Sequence, residues 1–127
     1  MTRRKKRKTP AKRKMSEVIS EVAIGFLGVG DTIGERQNRL NAACTAWNMA
    51  CASPEVRERQ LEQYAEGFLH YNPGTSPSDL ANMIKDMELL IERKLELFPD
   101  DPRQIVNARV VKVGSEYRIE VASATLQ

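Results

Sequence analysis

The residues of this chain that could do chemistry are few, and their spacing argues against most of it. Cys44 and Cys51 are the two cysteines. Seven residues apart on a helix, their α-carbons would stand about 10.5 Å apart, beyond the roughly 4–7 Å that a disulfide tolerates. Zinc sites and redox motifs use pairs two to four residues apart. Both are therefore read as free, buried thiols in a reducing cytoplasm. His70 is the single histidine and falls in the last turn of an expected helix, an ordinary place for a cationic or hydrogen-bonded side chain. Two rows of acids, Glu55, Glu58, Glu62 and Glu66 and then Glu88, Glu92 and Glu96, have helical spacing. Paired carboxylates can serve acid–base or metal chemistry, but no other group converges on these. They read first as solvated helix faces, and second as surfaces for a basic partner or for the chain's own basic arm. With no nucleophile beside a base and no ligand cluster, no catalytic, metal or cofactor-binding residue is assigned.

One stretch invites a nucleotide. VAIGFLGVGDTIGER can be read as a strand followed by glycines at Gly28, Gly30 and Gly34 and then a helix, near to a turn that holds a pyrophosphate at a helix N-terminus. The context is wrong for it, because the following helix runs into another helical segment where a second parallel strand with an acidic end is needed. Val18, Val22 and Phe26 also keep helical spacing. A glycine-rich connection between helices is expected, with Thr32 and Glu35 forming a capping box for the next helix.

Charge makes the strongest demand. Arg3, Arg4, Lys5, Lys6, Arg7, Lys8, Lys12, Arg13 and Lys14 are nine of the twenty basic residues, and the first fourteen positions hold no acid. The remainder has eleven bases against seventeen acids, a balance of −6. Residues 1–14 are expected to be a disordered basic arm on an acidic domain spanning 15–127. Such an arm could contact nucleic acid or another acidic partner by displacing counterions, serve nuclear import in a eukaryote, or simply solubilise. Met15 is a possible second translation start. Aromatic residues are 6% of the chain and none lies in the arm, so contact would be to phosphates and nearly blind to base sequence. No apolar run reaches the roughly 18–20 residues of a membrane span, and no signal-peptide core follows the basic start. A cytoplasmic protein is expected, nuclear if the host is a eukaryote.

The elements that position these residues read as mainly α within an α+β class. About four helices surround a central one, and a C-terminal two-stranded β-hairpin occupies about residues 105–122. The central helix, within Gly34–Ser53, holds the only Trp. Ile33, Leu40, Cys44, Trp47 and Cys51 form its inner stripe, alanines widen it, and Arg36, Asn38 and Arg39 look outward. A short helix from Ser16 as cap precedes it. Ser53-Pro54 and Ser76-Pro77 open two more, with Leu61, Tyr64, Ala65, Phe68 and Leu69 inward on one and a stripe from Leu80 to Phe98 on the other. Leu40, Cys44, Trp47, Cys51, Leu61, Phe68, Met87 and Leu90 are the expected core, with Trp47 against the third and fourth helices. At the end, Gly114-Ser115 suits a hairpin turn. Val113 then pairs with Glu116, Arg109 with Glu120, Val110 with Ile119 and Ala108 with Val121, and Val106 and Tyr117 continue the apolar face. A lone hairpin is marginal in water, so it must pack on the helices or join another chain's sheet. The expected function is that of a non-enzymatic adaptor, with the arm on an acidic partner and the body on protein. The alternatives are a protein-binding or self-assembling module acting through helices or hairpin edge, and a nucleotide binder at Gly28–Gly34.

Overall fold

The computed structural model describes residues 13–125 except 29 and 31; the basic residues from Arg3 to Lys12 fall outside these. Four helices, α1 (Met15–Val22), α2 (Ile33–Ala50), α3 (Pro54–Tyr71) and α4 (Pro77–Leu97), lead into β1 (Arg103–Val113) and β2 (Glu116–Thr125). The α+β class, the four helices and the C-terminal hairpin are as the sequence implies.

Local chemistry explains the helix starts. Thr32 and Glu35 close a reciprocal capping box on α2, and the Ser53 and Ser76 hydroxyls accept the Val56 and Asp79 N–H groups ahead of α3 and α4, satisfying donors that a helix leaves open. At α1 the expected cap is displaced. Ser16 lies inside the helix, which begins at Met15 behind Lys14 with no side-chain cap. Met15 is only 5% exposed, so burial of its thioether draws the helix one residue earlier.

Arginines close the other ends. Arg93 of α4 donates to the carbonyls of Val22 and Glu21 at the end of α1. Arg57 of α3 donates to those of Met49, Ala50 and Ala52 where α2 ends. Carbonyls at a helix C-terminus lack the partner a further turn would give them; that of Met49 also accepts the Ala52 N–H at 3.0 Å. Arg36 and Arg39 do not simply look outward. Their guanidinium carbons sit 4.2 Å from the Tyr117 ring centroid and 4.8 Å from that of Phe26.

The core gathers Met15, Val18, Ile19 and Val22 of α1, Leu40, Ala43, Cys44, Ala46 and Trp47 of α2, Met87, Leu90 and Ile91 of α4, and Ile105 and Val110 of β1. Several assignments change. Ile33 is 46% exposed, because it precedes the first turn that contacts the hairpin. Cys51 is partly buried at the helix end. Leu61 and Phe68 are also only partly buried, and α3 has no buried residue at all.

The hairpin pairs in the expected register: Val113 with Glu116, Val110 with Ile119, Ala108 with Val121, and Arg109 with Glu120, the last an ion pair at 2.7 Å. Gly114 begins the turn at φ 64°, a conformation glycine adopts without strain. The strands run longer than expected, and an irregularity between Ile105 and Asn107 reverses the side-chain alternation. Ile105 thereby takes the inner place, and Val106 is 64% exposed.

Trp47 is fully buried. Its indole N–H donates to the Arg103 carbonyl at 2.7 Å, and its ring meets Phe98 at 6.2 Å between centroids. These two partners come from just past the end of α4 and from the start of β1. Trp47→Ala should cost about 3–5 kcal/mol. Trp47→Phe should cost about 1–3 kcal/mol, since it keeps most apolar contact and leaves the Arg103 carbonyl only the weak Cys51 thiol donor. Urea unfolding of both variants checks the order.

Candidate functional site

The sequence-derived candidates do not come together. Cys44 is buried, and its thiol is pushed up to about 12 by burial. Cys51 is raised for the same reason, partly offset by Lys94 and Arg57; its Sγ faces the carbonyls of Asp101 and Arg103 at 3.9 and 3.6 Å. Thiols held in this way are poor nucleophiles at neutral pH. His70 is exposed and meets the Tyr71 ring edge-on, with centroids 5.0 Å apart. Among the described residues, no group of three or more His, Cys, Asp or Glu could hold a metal ion. Both acid rows are exposed.

At Gly28–Gly34, helix α1 and a turn stand where a phosphate-binding turn needs a strand. The start of α2 also carries its own anion. Glu35 Oε1 accepts the Thr32 N–H at 3.1 Å, and Thr32 Oγ1 accepts the Glu35 N–H. Gly30, at φ 124°, is pressed close enough that a side chain there would meet Glu35 Cβ at 3.0 Å.

Of the basic arm, Arg13 and Lys14 are described. Lys14 is exposed and occupies the N-cap position of α1. Arg13 is docked: it pairs with Glu21 at 3.1 Å, lies over the Phe98 ring and accepts a hydrogen bond on its carbonyl from Arg103.

Two features lie outside the motifs. The first is a polar junction beneath Trp47. Lys94 is 2% and Asp101 1% exposed. Lys94 Nζ donates to the Asp101 carbonyl at 3.0 Å and stands 5.0 Å from the Trp47 ring centroid. The Asp101 carboxylate accepts from the Arg103 backbone N–H, Nε and Nη2, the last at 2.7 Å. Burial pushes this carboxyl up, but the Arg103 hydrogen bonds and charge, with help from Lys94, outweigh it and hold the group below its ordinary value near 3.8. Both Asp101 carboxylate oxygens and the Asp101 carbonyl accept hydrogen bonds from Arg103 and Lys94, and the junction is read as structural.

The second feature is a cleft of about 840 Å³ between α2, α3 and α4. Phe26, Tyr64, Phe68, Met83 and Met87 give it an apolar floor, and Glu35, Asp79 and Asp86 face a single base, Arg39, around it. Burial raises the Tyr64 phenol. Beside it, where α2 meets α3 near Thr45 and Met49, Gln60 Oε1 is buried without a hydrogen-bond partner, an uncommon condition for a buried acceptor. The seam between α2 and α3 is thus incompletely closed.

Neither a protein-family pattern, nor a curated protein, nor a solved structure matches the chain.

The junction carries a pH dependence whose sign follows from Asp101. A carboxyl depressed in the folded state stabilises the fold above its unfolded value and loses that contribution as pH falls through the folded value. Asp101→Asn should therefore cost roughly 3 kcal/mol at pH 7. The gap from the parent protein should narrow below about pH 4, as read by urea unfolding across pH 2.5–7.

Proposed function

We propose that the chain is a non-enzymatic adaptor whose body binds protein through the α2–α3–α4 cleft, and whose basic arm contacts nucleic acid or another acidic partner without sequence specificity. The observation that carries this is α3. It sets Leu61, Tyr64, Ala65, Phe68 and Leu69 along one side, yet none of its residues is buried, although helices in globular domains gain most of their stability by burying such a face. The cleft beside it supplies the complement to a partner. An amphipathic helix could set apolar anchors on Phe68, Met83 and Met87, and its basic flanks could meet Glu35, Asp79 and Asp86. The two free thiols suit a reducing compartment, the cytoplasm or, in a eukaryote, the nucleus.

The nine basic residues among the first fourteen positions support the arm's role. Because Arg13 is held by Glu21 and Arg103, the informative truncation begins at Arg13. Met15 would be a poorer start, since it also removes contacts of the folded body. Three proteins test the proposal: the full chain, the version starting at Arg13, and the full chain with Phe68→Glu. On duplex DNA the logarithm of the full chain's binding constant should fall with that of salt at a slope between roughly −4 and −8, and the truncation should lose most binding. Phe68→Glu, at a partly exposed position, should change stability by less than about 1 kcal/mol. It should nevertheless abolish capture of those proteins that stay bound after nuclease treatment. Equal, feeble DNA binding by full chain and truncation, together with capture indifferent to Phe68→Glu, would overturn both halves. Capture that survives nuclease and truncation alike, without DNA binding, would leave a purely protein-binding module.

A further inference from the structure

The two outer edges of the hairpin are treated differently. On β1, Gln37 Nε2 donates to the Ala108 carbonyl, and the Val110 N–H donates to Gln37 Oε1. Asn48 Nδ2 donates to the Ile105 carbonyl, and the Ile105 N–H donates to Asn48 Oδ1. Those backbone groups therefore point away from β2. In an antiparallel ladder, residues opposite each other outside the hydrogen-bonded pairs turn their N–H and C=O groups to opposite edges. Ile119, Val121 and Ser123 face Val110, Ala108 and Ile105 in the register, and Tyr117 keeps the same alternation. Their N–H and C=O groups form the outer edge of β2. Among the described residues nothing hydrogen-bonds to that edge, and an open edge is a template for another strand.

The side chains indicate which strand fits. We propose that the outer edge of β2 pairs antiparallel with β2 of a second copy, about a two-fold axis at Ile119, to make a continuous four-stranded sheet. In this register Ile119 meets itself, and Tyr117 meets the second copy's Val121 on the partly buried inner face. On the exposed face Arg118 meets the second copy's Glu120, twice over by symmetry. The pairs at Ile119 and at Tyr117–Val121 join outward-facing groups, as hydrogen-bonded pairs require. Moving the axis to Arg118 sets Arg118 on Arg118 and Glu116 on Glu120. Moving it to Glu120 sets Glu120 on Glu120. Like charges directly opposite are unfavourable and opposite ones favourable, so the charge sequence of β2 selects one self-pairing among those near the strand centre. Glu120 already pairs with Arg109 at 2.7 Å and would lie between that guanidinium and the second copy's Arg118. The association uses β2 and is independent of what the cleft between α2, α3 and α4 binds.

Charge complementation between two variants of the full chain tests it. Arg118→Glu alone places Glu on Glu at both symmetric contacts, and Glu120→Arg alone places Arg on Arg. Each should weaken self-association in sedimentation equilibrium by roughly tenfold or more. An equimolar mixture of the two variants restores opposite charges at both contacts and should recover dimer close to the parent affinity. Circular dichroism melts of each variant check that the fold persists. Amide exchange supplies the readout that needs no variant: the Ile119 and Val121 N–H groups should become protected as concentration rises. A parent protein that stays monomeric at millimolar concentration, or a mixture no better associated than its components, would overturn the proposal. So would protection of those amides in a monomer that disappears in the version starting at Arg13, since it would assign the edge to the chain's own first residues.

Discussion

A two-stranded sheet leaves the outer edge of each strand without partners, and in this protein one helix supplies them for β1. Gln37 and Asn48 are eleven residues apart, close to three helical turns, so they share a stripe with Leu40, Cys44, Trp47 and Cys51. Their amides present the donor–acceptor pair of a peptide group, and each holds β1 as a neighbouring strand would. Trp47 adds a donor to the Arg103 carbonyl. The helix thus acts as a third strand built of side chains, and a hairpin that would be marginal alone becomes part of the domain. Each such bond is worth about 0.5–1.5 kcal/mol net, but their larger effect is on register. A slip of one residue would leave both amides and the edge unsatisfied.

The junction of Lys94, Asp101 and Arg103 fixes where β1 begins. Lys94 buries its stem beside Trp47 and reaches the Asp101 carbonyl, while the Asp101 carboxylate grips Arg103 through backbone and side chain. Arg103 also reaches the Arg13 carbonyl, so the start of α1, the end of α4 and the first residue of the sheet meet at one charged, matched centre. Burying these charges gives little stability in itself, but removing one partner would strand the others.

What the sequence made legible was local. Thr32 with Glu35, Ser53 with Pro54, and Ser76 with Pro77 act on neighbours within one turn, and alternation on either side of Gly114 was enough for the hairpin register. The rest depended on partners distant in the chain. Nothing near Lys94 in the chain announces the Asp101 carbonyl or the Trp47 ring. Arg57 and Arg93 serve as caps for other helices, which no local pattern marks. Gln37 and Asn48 were invisible as edge partners for the same reason. Ile33 looks equivalent to Leu40 by period, but only the tertiary contact decides that one is exposed and the other buried. The bulge at Val106 has no marker such as glycine. For function, the cleft beside α3 could not be seen, because a stripe of apolar residues looks the same whether or not it is covered.

Amide hydrogen exchange at Ile105 and Val110 tests most directly whether α2 stands in for a strand. If it does, both amides exchange only as slowly as global unfolding allows. Asn48→Leu then releases Ile105 while sparing Val110, and Gln37→Leu does the reverse. Rapid exchange of both amides in the parent protein, or protection that neither substitution alters, would contradict the account.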